Sequence, residues 1–253
     1  MAVMITRRKF VQLSAAALPS LARPLWAQGH SLKLGLQLYT LRQIAGEDLP
    51  AILRQVRAIG YQEVELTSLQ FALPASELRK VIENSGLTAP SGQFDYTELS
   101  AKFDYARHLG LQWMVCPVLP KAQWTSSDGF HEAAIQFNNW GKRARDLGMR
   151  FAFHNHAYEF RQFDRGTGFD LLVRETDPEL VSFELDCYWV AEAGRDPRQL
   201  LDQLGKRVRM LHLKDRKPGF PPVHQDGPGF GSLYRGRQWN DRLARCSCSG
   251  TEA

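Results

Sequence analysis

The chain has 253 residues, of which 43% are hydrophobic and 23% are charged, and its formal net charge is +5. The length suits one α/β barrel or two small domains, and the composition excludes a disordered chain, a collagen-like chain and a small disulfide-rich scaffold. The four cysteines do not have the spacing of a four-ligand zinc site, and the apolar segments around Cys116 and Cys187 predict buried thiols.

The positive charge is confined to the two ends of the chain. Residues 1–28 contain four basic residues and no acidic residue, and residues 216–253 contain six basic and three acidic residues. Residues 29–215 therefore hold 22 basic and 24 acidic residues. This mildly acidic middle segment argues against a nucleic-acid partner, which needs a surface of concentrated basic side chains.

The amino-terminal segment has the pattern of an export signal. Three basic residues, Arg7, Arg8 and Lys9, precede an apolar run over residues 10–21. The run is too short to cross the roughly 30 Å hydrocarbon core of a bilayer as a helix, so we expect no stable membrane span. The adjacent arginines resemble the twin-arginine signal. We therefore predict a signal peptide over residues 1–28 and a periplasmic or exported protein that meets the twin-arginine translocation machinery.

Short β-like runs then alternate with helical patterns up to residue 213. The predicted strands cover residues 34–39, 62–66, 88–94, 113–118, 150–156, 181–186 and 208–213. The predicted helices cover residues 49–59, 75–84, 98–109, 130–147, 169–175 and 197–204. Such alternation implies parallel strands joined by right-handed crossovers. Seven units in a row favour an α/β fold of the (β/α)8 TIM-barrel type over residues 29–219, and no Gly-x-Gly-x-x-Gly motif follows the first strand.

Polar residues are concentrated at the carboxyl ends of these strands, where the active sites of parallel barrels lie. The ends carry Glu63, Glu65, His154, His156, Glu159, Glu184, Asp186, His212, Lys214 and Asp215. Residues two apart on a strand share a face, so several of these side chains can converge. Imidazole nitrogens and carboxylate oxygens that converge form a site for a divalent metal such as Mn²⁺, Zn²⁺, Mg²⁺ or Co²⁺. A nearby carboxylate could move a proton next to a carbonyl group.

Each of these residues also has a purely structural interpretation. Glu65 could pair with a basic side chain, and Lys214 could form an ion pair with Asp215. The aromatic side chains of Tyr188 and Trp189 could stack on a sugar or could pack the barrel. The clustering of histidines favours function, because a single strand histidine is more often a hydrogen-bonded core residue.

Five segments, in this order along the chain, resemble the sugar phosphate isomerase/epimerase family of xylose isomerase-like TIM barrels. They are GLQLYTLR at 35–42, GYQEVEL at 60–66, FHNHAYEF at 153–160, ELDCYW at 184–189 and LHLKD at 211–215. The resemblance covers residues 33–219. It implies a divalent-metal barrel that isomerises or epimerises sugars or cyclic polyols, or eliminates water or an alcohol beside a carbonyl. The implied mechanism is proton abstraction through an enediolate.

By position, the resemblance implies that Asp186 and His212 are metal ligands and that the HNHxxE segment supplies another, for which His156 and Glu159 are the candidates. The candidate catalytic residues are Glu65, Glu159 and Lys214, and the candidate substrate contacts are His154, Tyr188 and Trp189. Spacing alone leaves open which of His154, His156 and Glu159 faces the ion.

The resemblance ends before the carboxyl terminus. The family has an eighth strand that carries a further glutamate, whereas residues 227–253 show no strand-then-helix pattern. Codons for residues 231–248 can be chosen so that the next reading frame spells VHFTEVGNGTIDWHAVL, which resembles the family's EVGxGxIDW segment. We therefore predict a frameshift before Gly231, an out-of-frame tail over residues 220–253 and a barrel that lacks its eighth unit.

Two other functions remain open at this stage. Without the eighth-strand glutamate, the chain could be a non-catalytic sugar-binding barrel or an inactive truncated remnant. An apurinic-site endonuclease of the same superfamily is disfavoured by the acidic middle segment and the export signal. The expected ligand is a small sugar or polyol, with a divalent metal as cofactor.

Overall fold

The computed structural model describes residues 33–44 and 48–215. The predicted signal peptide, the predicted tail and the predicted frameshift lie outside these residues. Within them, no helix combines the length and the apolar character needed to cross a membrane. The described residues from Leu34 to Asp215 belong to one compact unit.

Seven parallel strands form one sheet, and each strand pairs with the next one along the chain. They are β1 (Gly35–Gln37), β2 (Glu63–Leu66), β3 (Thr88–Gln93), β4 (Trp113–Cys116), β5 (Arg150–His154), β6 (Val181–Asp186) and β7 (Val208–His212). A sheet of parallel neighbours with its helices in the connections curls towards a barrel. The described residues therefore form an incomplete (β/α)8 barrel with seven strands, which confirms the predicted fold class.

Nine α-helices occupy the connections in the described part of the chain. They are α1 (Leu49–Ile59), α2 (Ala75–Asn84), α3 (Tyr96–Leu99), α4 (Phe103–Leu109), α5 (Lys121–Trp124), α6 (Ser127–Asp146), α7 (Gly168–Glu175), α8 (Cys187–Glu192) and α9 (Pro197–Leu204). Single 3₁₀ turns follow β1, β2, β5 and α9, at Leu38–Leu41, Ser68–Gln70, Tyr158–Phe160 and Gly205–Arg207. A small antiparallel hairpin, Gln162–Phe163 with Gly166–Thr167, precedes α7.

The largest differences from the predicted helix boundaries occur at two places. The predicted helix over residues 98–109 is divided into α3 and α4, because Ser100 is bound by α6. The indole nitrogen of Trp140 donates to Ser100 Oγ at 2.9 Å, and Arg143 donates to the Ser100 carbonyl at 2.8 Å. Helix α6 begins three residues earlier than predicted, because Ser126 Oγ accepts the backbone N–H of Gly129 at 3.1 Å and caps the helix. The short helices α5 and α8 were not predicted.

Two apolar layers support the sheet. Outside the sheet, α6 packs a cluster of buried aromatic rings against β5. Inside the curl, Trp113, Val115 and Ala152 form a separate buried group with Met210 packed against it. Cys116 and Cys187 are both buried, as predicted. The inner apolar group lies below the polar side chains at the strand ends, so it excludes water from beneath them.

Arg207 joins the end of α7 to the beginning of β6. Its guanidinium group donates to the carbonyl of Val173 at 2.6 Å, to Thr176 Oγ1 at 2.6 Å and to the carbonyl of Val181 at 3.1 Å. It also lies 4.8 Å from the ring centroid of Phe183. The Val173 carbonyl lies in the last turn of α7, where carbonyls have no partner within the helix itself.

We expect Arg207→Ala to lower the free energy of unfolding by about 2 kcal/mol, because it leaves partly buried acceptors without a charged donor. Arg209→Ala is the matched control, since Arg209 lies two residues further along the chain, on β7, and is exposed. Urea unfolding followed by circular dichroism measures both variants. Equal effects of the two substitutions would contradict the role assigned to Arg207.

Candidate metal and substrate site

The strand register brings the predicted polar residues together. His154 at the end of β5 is paired with Glu184 on β6, and Asp186 at the end of β6 is paired with His212 on β7. All four lie at or near the carboxyl ends of their strands. The interior of the curl is therefore apolar at its base and polar at its mouth.

Three of these side chains are close enough to share one ion. One ligand atom from each of His154, Glu184 and His212 lies within 4.8 Å of the other two. His154 Nδ1 lies 3.1 Å from Glu184 Oε2, and His212 Nε2 lies 3.5 Å from Glu184 Oε1. Asp186 borders this cluster, since its Oδ2 lies 3.7 Å from His154 Nε2 and 3.8 Å from His212 Nδ1.

The chemistry of this cluster fits a divalent metal. Two imidazoles and buried carboxylates are a common donor set for Zn²⁺ and also suit other first-row divalent ions. His212 Nδ1 is buried without a hydrogen-bond partner among the described residues. Burial, followed by the neighbouring charge of Glu65, raises the pKa of Glu184 well above its ordinary value. A cation between these groups would stabilise the carboxylate form that the protein alone disfavours.

Glu65 is held in its ionised form next to His212. Burial acts to raise the pKa of Glu65, but the charge and hydrogen bonding of His212, with hydrogen bonds from other neighbours, lower it to about 2. Its Oε1 lies 3.0 Å from His212 Nε2, and its Oε2 accepts a 2.8 Å hydrogen bond from Ser91. A carboxylate with so low a pKa is a weak proton acceptor. The geometry therefore favours Glu65 as the group that orients His212.

Asp186 is fixed by contacts on both of its carboxylate oxygens. Its Oδ1 accepts the backbone N–H groups of Tyr188 at 3.0 Å and Trp189 at 3.2 Å, which caps α8. Its Oδ2 pairs with Lys214. The backbone N–H of Asp186 donates to Asn155 Oδ1 at 2.9 Å. The predicted ligand thus has a fixed orientation, and the predicted catalytic lysine is paired with it.

A cavity of about 540 Å³ opens above the cluster at the carboxyl ends of the strands. Its lining includes Gln93, Asp95, His154, His156, Trp189, Lys214 and Asp215, with Tyr39, Val118 and Leu213 also contributing. Two of the three predicted substrate contacts, His154 and Trp189, are therefore at the cavity. Tyr188 is 1% exposed, is packed in the core and does not line the cavity, so the structure does not bring it to the site.

Glu159 lies behind the cavity. Its side chain is fully buried, and its Oε2 accepts the backbone N–H of His156 at 2.9 Å. This hydrogen bond closes the turn that follows β5. Burial raises the pKa of Glu159 to about 8. The structure places Glu159 among neither the lining residues nor the close cluster, although it is near Asp186.

This burial predicts a pH dependence of stability in the metal-free protein. The folded state keeps the Glu159 proton up to about pH 8, whereas the unfolded state releases it near its ordinary pKa. Stability should therefore fall between about pH 5 and pH 8, by up to about 1.4 kcal/mol per pH unit, and level off above that range. Glu159→Gln should remove this pH dependence, because glutamine does not titrate. Its side-chain oxygen can still accept the His156 N–H, so the turn keeps its hydrogen bond. Chemical unfolding with a chelator present measures the unfolding free energy of wild type and Glu159→Gln at each pH. Parallel pH profiles of the two proteins would contradict the prediction.

Three residues that complete the cluster have no role assigned from the sequence, although one of them, Glu184, is among the polar strand-end residues named above. Glu184 contributes a carboxylate, Gln93 Nε2 donates to Glu184 Oε2 at 2.9 Å, and Ser91 donates to Glu65. Period-two alternation along β3 and β6 places these residues on the same inward face as the predicted ones. That alternation is the signal by which they could have been found.

Comparison with known proteins agrees with this architecture. The model of the family described as xylose isomerase-like TIM barrel matches residues 53–239. An inosose dehydratase of Lacticaseibacillus casei is 29% identical over 112 residues, which cover 42% of this chain and 35% of the relative. The chain thus matches about one third of that curated relative's length.

Two solved structures share the fold. A sugar phosphate isomerase/epimerase from Parabacteroides distasonis ATCC 8503 is 24% identical, with 81% of both chains covered and a TM-score of 0.64. The IOLI protein, whose crystal structure contains a bound zinc atom, is 14% identical, with 88% of this chain and 87% of that chain covered and a TM-score of 0.66. Together with the family match, the parallel sheet and its polar mouth show that the chain belongs to the xylose isomerase-like TIM barrel family.

Proposed function

We propose that the protein is a divalent-metal-dependent sugar or polyol isomerase or epimerase, or a closely related dehydratase or lyase, that removes a proton next to a carbonyl group. The observation that carries this proposal is the cluster of His154, Glu184 and His212. It lies at the carboxyl ends of parallel strands, below a cavity large enough for a sugar.

The relatives support the same chemistry. The curated relatives are inosose dehydratases, and one structural relative is a sugar phosphate isomerase/epimerase. Isomerisation, epimerisation and dehydration of a keto-sugar can all begin with the loss of a proton beside the carbonyl. The zinc in the IOLI crystal structure shows that this fold can hold a divalent ion in that relative.

The cluster residues would hold the ion, with Asp186 beside them. When bound, the ion would act as a Lewis acid on the oxygens of the substrate. Lys214 is the one member of the candidate catalytic set, Glu65, Glu159 and Lys214, that lines the cavity. Its Nζ, held by Asp186, can stabilise the negative charge that grows on an oxygen as the neighbouring carbon loses its proton. Trp189 gives the same cavity an apolar wall.

Proton exchange in D₂O tests this function directly. The protein is stripped with a chelator, reloaded with Zn²⁺, Mn²⁺ or Co²⁺, and incubated with D-fructose or an inosose. In a metal-loaded sample, we expect NMR to show deuterium uptake beside the carbonyl, or absorbance to show an unsaturated ketone. The chelated samples should show neither signal. Lys214→Met should slow the reaction while metal binding persists. Metal binding without exchange or elimination on any keto-sugar would support a sugar-binding barrel instead.

We also propose that the protein is exported through the twin-arginine route, on the basis of the Arg7-Arg8-Lys9 sequence and the apolar run after it. Replacing Arg7 and Arg8 together by lysine keeps the charge but removes the arginine pair. Immunoblotting of cell fractions should then show the protein retained in the cytoplasm. Unchanged export of the double variant would reject this proposal.

A further inference from the structure

The two histidines of the HNH segment have different surroundings. Both ring nitrogens of His154 face carboxylates, with Nδ1 3.1 Å from Glu184 Oε2 and Nε2 3.7 Å from Asp186 Oδ2. His156 makes no such contact with a carboxylate side chain in the described part of the chain, and it is outside the cluster of close ligand atoms. Its ring borders the cavity.

The ring of His156 is held in one orientation. It stacks on the ring of Tyr158 with centroids 5.7 Å apart and an interplanar angle of 9°, and its centroid lies 5.1 Å from that of Trp189. Its backbone N–H is bound by Glu159 at 2.9 Å. A group fixed before its ligand arrives loses little conformational entropy on binding.

His156 also has unused hydrogen-bonding capacity. Its side chain is buried to about nine-tenths, and Nδ1 has no hydrogen-bond partner among the described residues. Buried polar groups are rarely left in this state, because the missing hydrogen bond costs free energy. Nδ1 therefore has the capacity for one more hydrogen bond, and the residue that carries it lines the cavity.

We propose that His156 binds a hydroxyl group of the sugar or polyol in the cavity by a hydrogen bond, and that His154 is the histidine of this segment that binds the metal. This inference rests on the proposed function and names a contact to its substrate. The imidazole of His156 and the indole of Trp189 together offer a polar edge beside an apolar face. A sugar ring has the complementary surface, with hydroxyl groups at its edge and C–H groups on its faces.

The test separates metal binding from polyol binding. Wild type, His156→Ala and His154→Ala are loaded with Zn²⁺ or Co²⁺, and titration calorimetry measures the affinity for the metal and then for myo-inositol and D-fructose. The visible spectrum of the Co²⁺ form reports the ligand set. We expect His156→Ala to keep the metal affinity and the Co²⁺ spectrum, and to weaken binding of the polyol by about 10-fold or more. His154→Ala should lose the metal.

Three results would overturn the inference: a changed Co²⁺ spectrum in His156→Ala, unchanged polyol affinity in that variant, or no polyol binding by the zinc-loaded wild type. His156→Phe, which keeps a flat ring but has no hydrogen-bonding nitrogen, gives the same readings if the alanine variant does not fold. If the wild type binds metal and polyol but exchanges no proton, only the proposed function is contradicted. Weaker polyol binding by His156→Ala would still support the His156 contact.

Discussion

Replacing His154 or His212 by alanine is expected to weaken binding of Zn²⁺ by at least about 100-fold. Loss of a residue that only contacts a metal ligand commonly costs 10- to 100-fold in metal affinity, and these histidines are proposed as direct ligands. Each substitution removes one of the three ligand atoms that lie within 4.8 Å of one another. The remaining ligands cannot complete a four-coordinate site with the same geometry. Proton exchange on keto-sugars should fall with the metal occupancy.

Competition with a chromophoric chelator measures these affinities. His108→Ala is the matched control, since His108 lies on α4, is exposed, and bonds the Asp104 carbonyl at 2.7 Å rather than a site residue. It should bind Zn²⁺ as the wild type does. Circular dichroism establishes that each variant is folded. Wild-type affinity in folded His154→Ala and His212→Ala proteins would contradict the metal site described above.

The strand ends could be predicted because alternation and topology act together. Parallel strands place their carboxyl ends at one edge, so His154, Asp186 and His212 had to meet if the barrel was correct. The seven strands were found because buried parallel strands have apolar runs followed by helical patterns. Short elements such as α8 were missed, because a helix of six residues has too few turns for a periodic signal.

The division of roles within the site could not be read from spacing. Glu159 follows the histidines closely in sequence, yet the 3₁₀ turn at Tyr158–Phe160 takes its side chain behind the cavity. Glu184 is at the cluster because the register of β5 against β6 sets it beside His154. Alternation along β6 gives the face on which Glu184 lies. Its membership of the cluster and the burial of Glu159 depend on strand register and tertiary packing, which no local pattern determines.

Truncation of Phe137 to alanine is expected to cost about 3–5 kcal/mol of unfolding free energy. Its side chain is fully buried on α6. Its ring centroid lies 5.0 Å from that of Phe153, 5.3 Å from that of Phe151 and 5.9 Å from that of Trp140. The helix around it cannot collapse into the cavity, because the backbone of Leu180 already lies against Gly141 of the same helix, where even an added Cβ would approach Leu180 O to 2.5 Å.

This substitution also connects the core to the site. Phe151 and Phe153 face α6, so alternation turns Ala152 and His154 to the inner side of β5. Loss of the Phe137 ring removes the support behind the strand that presents His154, and the metal affinity should weaken along with stability. Ile135→Ala is the matched control, since Ile135 is 65% exposed on the same helix and should change stability by no more than about 0.5 kcal/mol. Denaturant unfolding measures both variants, and a Phe137 effect as small as that of Ile135 would show that α6 does not support β5.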